Sequence, residues 1–235
     1  MDEPHPLDNP MWQALTTRQR SFAIGEGNVR RYAPEVAPFA AVRDPGVDID
    51  AELAAIVPVG EVVILVGVSP AVSRAWRVLD SGVVIQMTCA GAPPPVPAGA
   101  RWAELGAQDR PAMLALTALV YPEYFRERTA ELGRYIGIHR EGGLAAMAGE
   151  RLATDSAVEI SAVCTHPRCT GRGYATLLVA LLARDIAARG ALPFLHVSEH
   201  NTRAIDLYQR MGFRERARLG LWKLRREAGE GRAAR

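Results

Sequence analysis

The sequence predicts an α/β (α+β) protein in which a mixed central sheet, covered by helices, follows a smaller mixed α/β N-terminal half. Short β-rich runs alternate with segments of helical periodicity along the 235 residues, an order typical of a sheet that is covered on both faces. A segment with four prolines, residues 89–102, interrupts this pattern. We therefore expect two regions, a divergent one at residues 1–95 and a second at residues 99–235. One hypothesis for the origin of the first region is a decayed copy of the second.

The first region combines short helices with extended segments. Helices are expected at residues 11–20 and at 48–56, the latter starting at Asp48 or Asp50. Extended pieces are expected at 21–24, 39–42, 61–67 and 82–89. This half carries no obvious chemistry, and we expect it to form a small mixed sheet that packs against the second region.

The second region has a clearer order of elements. Strands are predicted at 101–105, 134–140, 143–153, 157–167, 192–198 and 213–224. Helices are predicted at 109–120, 123–132, 174–190 and 201–211, with Gly190 and Gly212 at the ends of the last two.

Composition argues against several classes of protein. Lys and Arg exceed Asp and Glu by only 28 to 26, so bulk nucleic-acid binding is not expected. The longest apolar runs are far shorter than the roughly 20 residues of a bilayer span, so no membrane association is expected. The acidic, proline-rich start lacks the pattern of a secretory signal, and three cysteines form no paired framework. We expect a cytoplasmic protein.

A glycine-containing turn between a strand and a long apolar helix is the most informative segment. The strand ends at Pro167, the chain turns through Gly171 and Gly173, and the helix begins near Tyr174. Such a turn directs free backbone N–H groups and the positive end of the helix dipole at one point, and glycine leaves room for phosphate oxygens. Arg168 and Arg172 add positive charge. The turn predicts a pyrophosphate site that is neither a Walker loop nor a dinucleotide fingerprint.

Two motifs resemble the GNAT N-acetyltransferase superfamily. Residues 168–173, RCTGRG, resemble its acyl-CoA motif, and residues 201–213, NTRAIDLYQRMGF, match its Asn-x-x-Ala-x-x-Leu-Tyr-x-x-x-Gly-Phe signature position by position. The order of strands and helices from about residue 101 to 226 fits the whole fold, whose central sheet is mixed and mostly antiparallel. Within the superfamily, the chain looks most similar to the glycine N-acyltransferase-like branch.

The resemblance implies an acyl-CoA-dependent N-acetyltransferase that moves an acetyl or other short acyl group to a primary amine. The amine would attack the thioester directly in a ternary complex, with acetyl-CoA as co-substrate and no metal. Strands 158–165 and 192–198 would splay apart to admit the pantetheine arm. The resemblance implies cofactor contacts at Val163, Cys164, Thr165, Arg168, Cys169, Thr170, Gly171, Arg172, Gly173, Tyr174, Ala175 and Asn201.

Two side chains are candidates for catalysis. By the same resemblance, Tyr208 would protonate the departing thiolate. Glu159 is expected on one strand face with Ser161 and Val163, and the resemblance implies that a carboxylate at this place deprotonates the amine through water. A raised pKa near an apolar cleft would suit that role. Each position also has a simpler structural interpretation without a catalytic role: Tyr208 as a tyrosine packed in the core and Glu159 as a solvated strand residue.

Several alternatives remain open at this level. HVSEH, residues 196–200, has the spacing of a zinc-hydrolase motif, although His196 is expected in a strand and Asn201 caps the next helix. Cys164 is either a packed thiol or a covalent acyl carrier. The chain could also be a CoA-binding sensor without turnover. The acceptor amine, whether amino acid, small amine, antibiotic or peptide N-terminus, is undetermined, although the segment 121–132 and loops of the N-terminal half are expected to line its pocket. A homodimer is one option for the assembly.

Overall fold

The computed structural model describes residues 5–44, 50–67, 73–97, 101–140 and 142–228. The strands within these ranges are β1 (Ala23–Ile24), β2 (Val29–Tyr32), β3 (Ala40–Val42), β4 (Val62–Val66), β5 (Trp76–Thr88), β6 (Ala103–Glu104), β7 (Tyr135–Arg140), β8 (Gly143–Ala153), β9 (Ala157–Thr165), β10 (Leu192–Ser198) and β11 (Arg214–Arg226). The α-helices are α1 (Pro10–Thr16), α2 (Asp50–Ile56), α3 (Arg110–Val120), α4 (Tyr174–Ala188) and α5 (Thr202–Arg210). Asp48, one of the two expected helix starts, lies outside the described residues.

The main sheet has eight strands in the order β4-β11-β5-β10-β9-β8-β7-β6. Strands β9 and β10 run parallel, and the other neighbouring pairs in this sheet are antiparallel. The predicted mixed, mostly antiparallel sheet with covering helices is therefore confirmed.

The two regions expected from the proline-rich segment share this sheet. Strands β1 to β3 form a separate three-stranded antiparallel sheet, as a small N-terminal sheet would require. Strands β4 and β5 instead enter the main sheet, where β5 lies between β10 and β11 and pairs with both. The expected small mixed sheet of the N-terminal half is therefore limited to β1 to β3, and these strands pair antiparallel throughout.

Apolar clusters cover both faces of the sheet around β8 and β9. Helix α4 is buried along most of its length and packs with Ile136, Ile138, Val158 and Ile160 on one face. Helix α3 contributes Met113 and Leu116 to a cluster on the other face. Helices α4 and α3 thus cover opposite faces of β8 and β9.

A β-bulge in β9 changes which side chains face each way. Met147 pairs with Cys164 and Gly149 pairs with Ser161, so β9 has one residue more than β8 in this stretch. Ala162 in the bulge has a φ of +50°. As a result Val158 and Ile160 pack towards α4, whereas Ala162 and Cys164 pack towards α3.

The helix predicted at residues 123–132 is wrong. The structure has a turn there that ends in a short 3-10 helix, Thr129–Leu132. The Thr129 hydroxyl donates to the Val36 carbonyl at 2.6 Å and accepts from the Arg126 N–H at 2.7 Å. These bonds give the backbone an alternative to helical pairing, while buried Phe125 and Leu132 anchor the segment to the core.

Candidate active site

A cleft opens where β9 and β10 part. The two strands pair only at their N-terminal ends, and the last paired residues are Glu159 and Phe194. On its other edge β10 stays paired with β5 as far as Ser198 and Val84, so the opening lies between β9 and β10. This is the separation that the sequence analysis expects for strands 158–165 and 192–198.

A cavity of about 560 Å³ occupies the cleft. Both regions of the chain form its walls. The N-terminal region contributes Met11, Phe39, Val66 and residues 80–84, and the C-terminal region contributes Val120, Tyr121, Tyr124, Arg151, residues 160–163, residues 196–198, His200, Asn201, Ala204, Tyr208 and Leu221. The N-terminal region therefore shapes the cavity.

The bulge in β9 corrects one expectation about this wall. Glu159, Ser161 and Val163 were expected on one face, but the extra residue reverses the alternation and Val163 packs against the α4 cluster instead. Ser161, Ala162 and Val163 all line the cavity. Thr165 is half-buried and pairs with Ala146 at the end of the strand.

Cys164 lies in the core rather than in the cavity wall. It is buried in the cluster between α3 and the sheet, together with Met113 of α3 and Met147 of β8. Burial raises the pKa of its thiol to about 12. A thiol is a poor nucleophile compared with a thiolate, so this environment favours the packed thiol over the acyl carrier.

The turn before α4 has the geometry that an anion site requires. Gly171 and Gly173 have φ values of +76° and +74°, a region that disfavours other residues. Gly173 is the N-cap of α4, so no side chain caps the first N–H groups of the helix, which include those of Tyr174 and Ala175. A Cβ atom at either glycine would meet no atom within 4 Å, which means that both face open space.

Cationic and polar side chains surround this turn. Arg168 and Arg172 are exposed and have no carboxylate partner among the described residues, and Thr170 donates to the Pro167 carbonyl. A second depression of about 360 Å³ lies beside the turn, lined by Arg140, Gly142, Gly143, Leu144, Ala145, His166, Arg168 and Cys169. Arg140 also donates to the Tyr174 hydroxyl at 2.9 Å, which holds one arginine next to the start of α4.

Helix α5 brings Asn201 and Tyr208 to the cavity. Asn201 is the N-cap, and its side-chain oxygen accepts from the Ala204 N–H at 3.2 Å. Tyr208 is 7% exposed and also lines the cavity. Burial, and to a smaller extent Cys164, raise the pKa of Tyr208 to about 12, so its hydroxyl stays protonated and can donate.

Glu159 does not occupy the environment that the sequence analysis expects. The carboxylate is 1% exposed and does not line the cavity. It accepts two hydrogen bonds from Arg151, Nε to Oε2 at 2.9 Å and Nη2 to Oε1 at 2.7 Å, and one from His196 Nδ1 to Oε1 at 2.8 Å. The simpler interpretation of Glu159 as a solvated strand residue is therefore also wrong.

The expected rise in the pKa of Glu159 is also wrong. Burial alone would raise it, but the charge of Arg151 and the bonds from His196 and Arg151 outweigh burial and lower the pKa to about 2. A carboxylate with such a pKa and with both oxygens bonded is a weak base. The environment favours a role in holding Arg151 and His196.

A chain of hydrogen bonds fixes the tautomer of His196. Arg216 can only donate to Gln86, which identifies the accepting atom as the amide oxygen. The Gln86 amino group then donates to the Leu7 carbonyl at 2.9 Å and to His196 Nε2 at 3.0 Å. His196 therefore carries its hydrogen on Nδ1 and donates it to Glu159.

These contacts also explain the HVSEH segment without a metal. His196 lies in β10 and is bonded on both ring nitrogens, whereas His200 lies one residue before the cap of α5. Among the described residues, no group of three or more His, Cys, Asp or Glu side chains is arranged to hold a metal ion.

Arg151 is not among the site residues predicted from the sequence, whereas Tyr121 and Tyr124 lie in the segment 121–132 that is expected to line the acceptor pocket. Arg151 had a detectable signal, since it follows an almost unbroken run of small and apolar residues in a predicted strand. Such a charge must face either solvent or a buried partner.

Comparisons with known proteins agree with this architecture. The profile of FR47-like proteins matches residues 135–222. A crystal structure from Novosphingobium aromaticivorans, described as an acetyltransferase from the GNAT family, is 35% identical with a TM-score of 0.86, over 96% of this chain and 100% of that one. A GCN5-related N-acetyltransferase from Kribbella flavida is 19% identical with a TM-score of 0.61 over 97% of each chain, a likeness of fold. None of the proteins with curated functions matches the sequence.

This chain belongs to the GNAT family, as the similarity over the full length of the Novosphingobium protein shows. The resemblance inferred from the two motifs is thereby confirmed at the level of the family. The descriptions of these relatives do not name the glycine N-acyltransferase-like branch, so that narrower placement stays a prediction. In the described residues, no helix is long and apolar enough to cross a membrane.

Proposed function

We propose that this protein transfers an acetyl or other short acyl group from acyl-CoA to a primary amine, by direct attack within a ternary complex. The observation that carries the proposal is the continuity of one surface. The uncapped, glycine-flanked start of α4 is joined to β9 by the turn at residues 166–173, and β9 forms one wall of a cavity that Tyr208 also lines. A thioester whose pyrophosphate rests on α4 would place its pantetheine arm along β9.

The residues present fit acetyl-CoA as co-substrate. The N–H groups at the start of α4, together with those of the turn from Thr170 to Gly173, suit a pyrophosphate because both glycines face open space. The Cys169 N–H, which was also expected to contact the cofactor, instead donates to the His166 carbonyl at 2.8 Å. Arg168 and Arg172 supply cations with no competing carboxylate among the described residues. Val163 and Thr165 lie where the backbone of β9 has no pairing with β10, so their polar groups can pair with the amides of the arm.

Tyr208 is the proposed donor to the departing sulfur. Its raised pKa, about 12, exceeds that of a thiol, about 8.5, so complete proton transfer to a thiolate is uphill. A hydrogen bond to the sulfur as negative charge develops still lowers the barrier, because the cavity is partly shielded from water. Asn201 holds the start of the same helix in place.

The amine must be neutral when it attacks. We propose that Glu159 contributes indirectly, by fixing Arg151 and His196, and that the amine proton leaves through water in the cavity. The reaction then depends mainly on orientation of the two substrates.

Thermal unfolding with and without acetyl-CoA tests the first half of the proposal. A ligand at about 100 times its dissociation constant stabilises the folded state by about 2.7 kcal/mol, which for a chain of this size is a rise of roughly 5 to 10 °C. ATP and NAD are the controls and should give no rise. No rise with acetyl-CoA or longer acyl-CoAs would contradict the proposal.

Release of free CoA thiol in the presence of amines tests the second half. We expect release that depends on both acyl-CoA and amine. A clear thermal rise without thiol release from any amine would instead support a CoA-binding sensor that has no turnover.

A further inference from the structure

We propose that Arg151 anchors a carboxylate on the acceptor, so that the acceptor is an amine that also carries a carboxylate, with an apolar or aromatic portion. This inference rests on the proposed function and names the class of amine that the cavity selects. It is carried by the hydrogen-bonding geometry of Arg151 and by the aromatic side chains next to it.

Arg151 has an unused edge that is accessible from the cavity. A guanidinium has five N–H donors, and Glu159 uses those of Nε and one of Nη2. Among the described residues, no acceptor bonds to Nη1. This nitrogen is also not one of the fully buried side-chain atoms without a partner, which means that it retains some exposure. The edge formed by Nη1 and Nη2 therefore keeps three N–H groups that Glu159 does not use. The Arg151 side chain is 12% exposed, and Arg151 lines the cavity.

The paired carboxylate lies behind the cation. Glu159 does not line the cavity, so a ligand meets the guanidinium and not the carboxylate. His196 also donates to Glu159, so the carboxylate is hydrogen-bonded to both Arg151 and His196 and not to Arg151 alone. The second edge of a guanidinium matches a carboxylate with two parallel hydrogen bonds, a geometry that a neutral carbonyl can satisfy only in part.

The surrounding wall selects an apolar or aromatic group. The Arg151 guanidinium lies 4.5 Å from the centre of the Phe39 ring. Phe39 stacks on Tyr124 with ring centres 6.3 Å apart, and Tyr124 contacts Tyr121 with ring centres 5.8 Å apart. All of these side chains line the cavity. A ligand with its carboxylate on Arg151 would therefore rest its apolar part on this aromatic wall.

Such an acceptor is electrically suited to the site. An amino acid binds as a zwitterion with no net charge, and loses one proton from its ammonium group before it attacks the thioester carbonyl. The C–N bond forms, the C–S bond breaks, and the thiolate leaves with a hydrogen bond from Tyr208. The nitrogen gives up its second proton through water in the cavity, and this proton converts the thiolate to the thiol of CoA. The products are an N-acyl amino acid, CoA and one proton.

Matched acceptor pairs test the inference by thiol release. Each pair differs only in the carboxylate: glycine and methylamine, leucine and 3-methylbutylamine, phenylalanine and 2-phenylethylamine. In the wild type we expect kcat/KM to favour at least one carboxylated member by about 100-fold, the effect of a charge-assisted hydrogen-bond pair. Equal rates within every pair, or faster reaction of the amines without a carboxylate, would overturn the inference while leaving the proposed function intact.

Variants connect the preference to Arg151. The double variant Arg151→Gln with Glu159→Gln removes both charges, so no unpaired ion is left buried, and it should bring the ratio within each pair close to 1. Arg151→Lys keeps the charge but loses the planar edge and should retain only part of the preference. Arg189→Gln is the control, because it removes an arginine that pairs with Glu150 outside the cavity lining. A preference that survives in the double variant would contradict the role of Arg151.

A binding experiment gives the same information without turnover. 3-Phenylpropionate, which has no amine, should bind the wild type in the presence of CoA, whereas 3-phenylpropanamide should bind much more weakly. Calorimetry should show that the double variant loses this distinction. If no amine releases thiol but the acid still binds through Arg151, the proposed reaction fails while the carboxylate site stands. If the acid and the amide bind alike, the site fails.

Discussion

The Arg151 guanidinium and the Glu159 carboxylate form two parallel hydrogen bonds, and the cation lies in the cavity wall while the anion lies behind it. This order decides which of the two can meet a substrate. It also explains why a glutamate at the position expected for a base has a pKa below its usual range. The pair is buried, so replacing only one of its two charged residues should lower the stability of the protein.

Glu159→Gln should lower the free energy of unfolding at neutral pH by about 3 to 5 kcal/mol, because it leaves Arg151 buried without its counterion. The pKa of Glu159 is lowered to about 2, so the stability it contributes is complete above the unfolded value of about 4.5 and is lost as the pH falls from there towards 2. Urea unfolding between pH 7 and pH 2.5 measures both effects.

The wild type and Glu159→Gln should therefore converge in stability at the acidic end of that range. Glu104→Gln is the control, since Glu104 forms an exposed ion pair with Arg134 that should contribute at most about 1 kcal/mol. Equal stability of Glu159→Gln and the wild type at pH 7 would show that the buried pair is not formed.

Tyr208→Phe should reduce kcat by about 100-fold, the lower end of the range for a donor in proton transfer, and leave the thermal rise with acetyl-CoA nearly unchanged. Because burial raises the pKa of Tyr208 to about 12, kcat of the wild type should not decline between pH 7 and pH 10 through loss of this proton. Tyr135→Phe is the control. It removes another buried hydroxyl, which has no partner among the described residues and lies outside the cavity lining. Equal kcat for Tyr208→Phe and the wild type would remove Tyr208 from its role.

Gly173→Asp should abolish the thermal rise with acetyl-CoA, because it places a carboxylate at the start of α4 where the pyrophosphate is proposed to rest. Gly190→Asp, at the other end of α4, is a matched control: its φ of +75° is almost the same as the +74° of Gly173, and both positions face open space. The helix dipole favours an acidic residue at the start of α4 and opposes one at its end. Gly190→Asp should thus be the less stable protein yet keep its thermal rise with acetyl-CoA. A thermal rise that persists in Gly173→Asp and is lost in Gly190→Asp would contradict the assignment of the turn as the pyrophosphate site.

The sequence was informative where local chemistry determines local structure. The glycine turn before α4 and the cap of α5 at Asn201 depend on neighbouring residues, and both were predicted. The bulge at Ala162 has no such signal, since alanine does not favour a positive φ, and the reversal of side chains beyond it could not be foreseen. The environment of Glu159 was missed for another reason: its partners Arg151 and His196 come from β8 and β10, and only the pairing of the sheet brings them together.

Cys164→Ala should retain most of the acyl transfer. The thiol is buried, and burial raises its pKa to about 12, so at neutral pH it is neither ionised nor part of the cavity lining. The substitution removes one buried sulfur and should cost about 1 to 2 kcal/mol of stability through loss of packing. Steady-state kinetics and mass spectrometry of the protein after mixing with acetyl-CoA are the measurements. Retained turnover with no acetylated intermediate in the wild type would support direct attack, whereas a protein-bound acetyl group that disappears in Cys164→Ala would establish the covalent route instead.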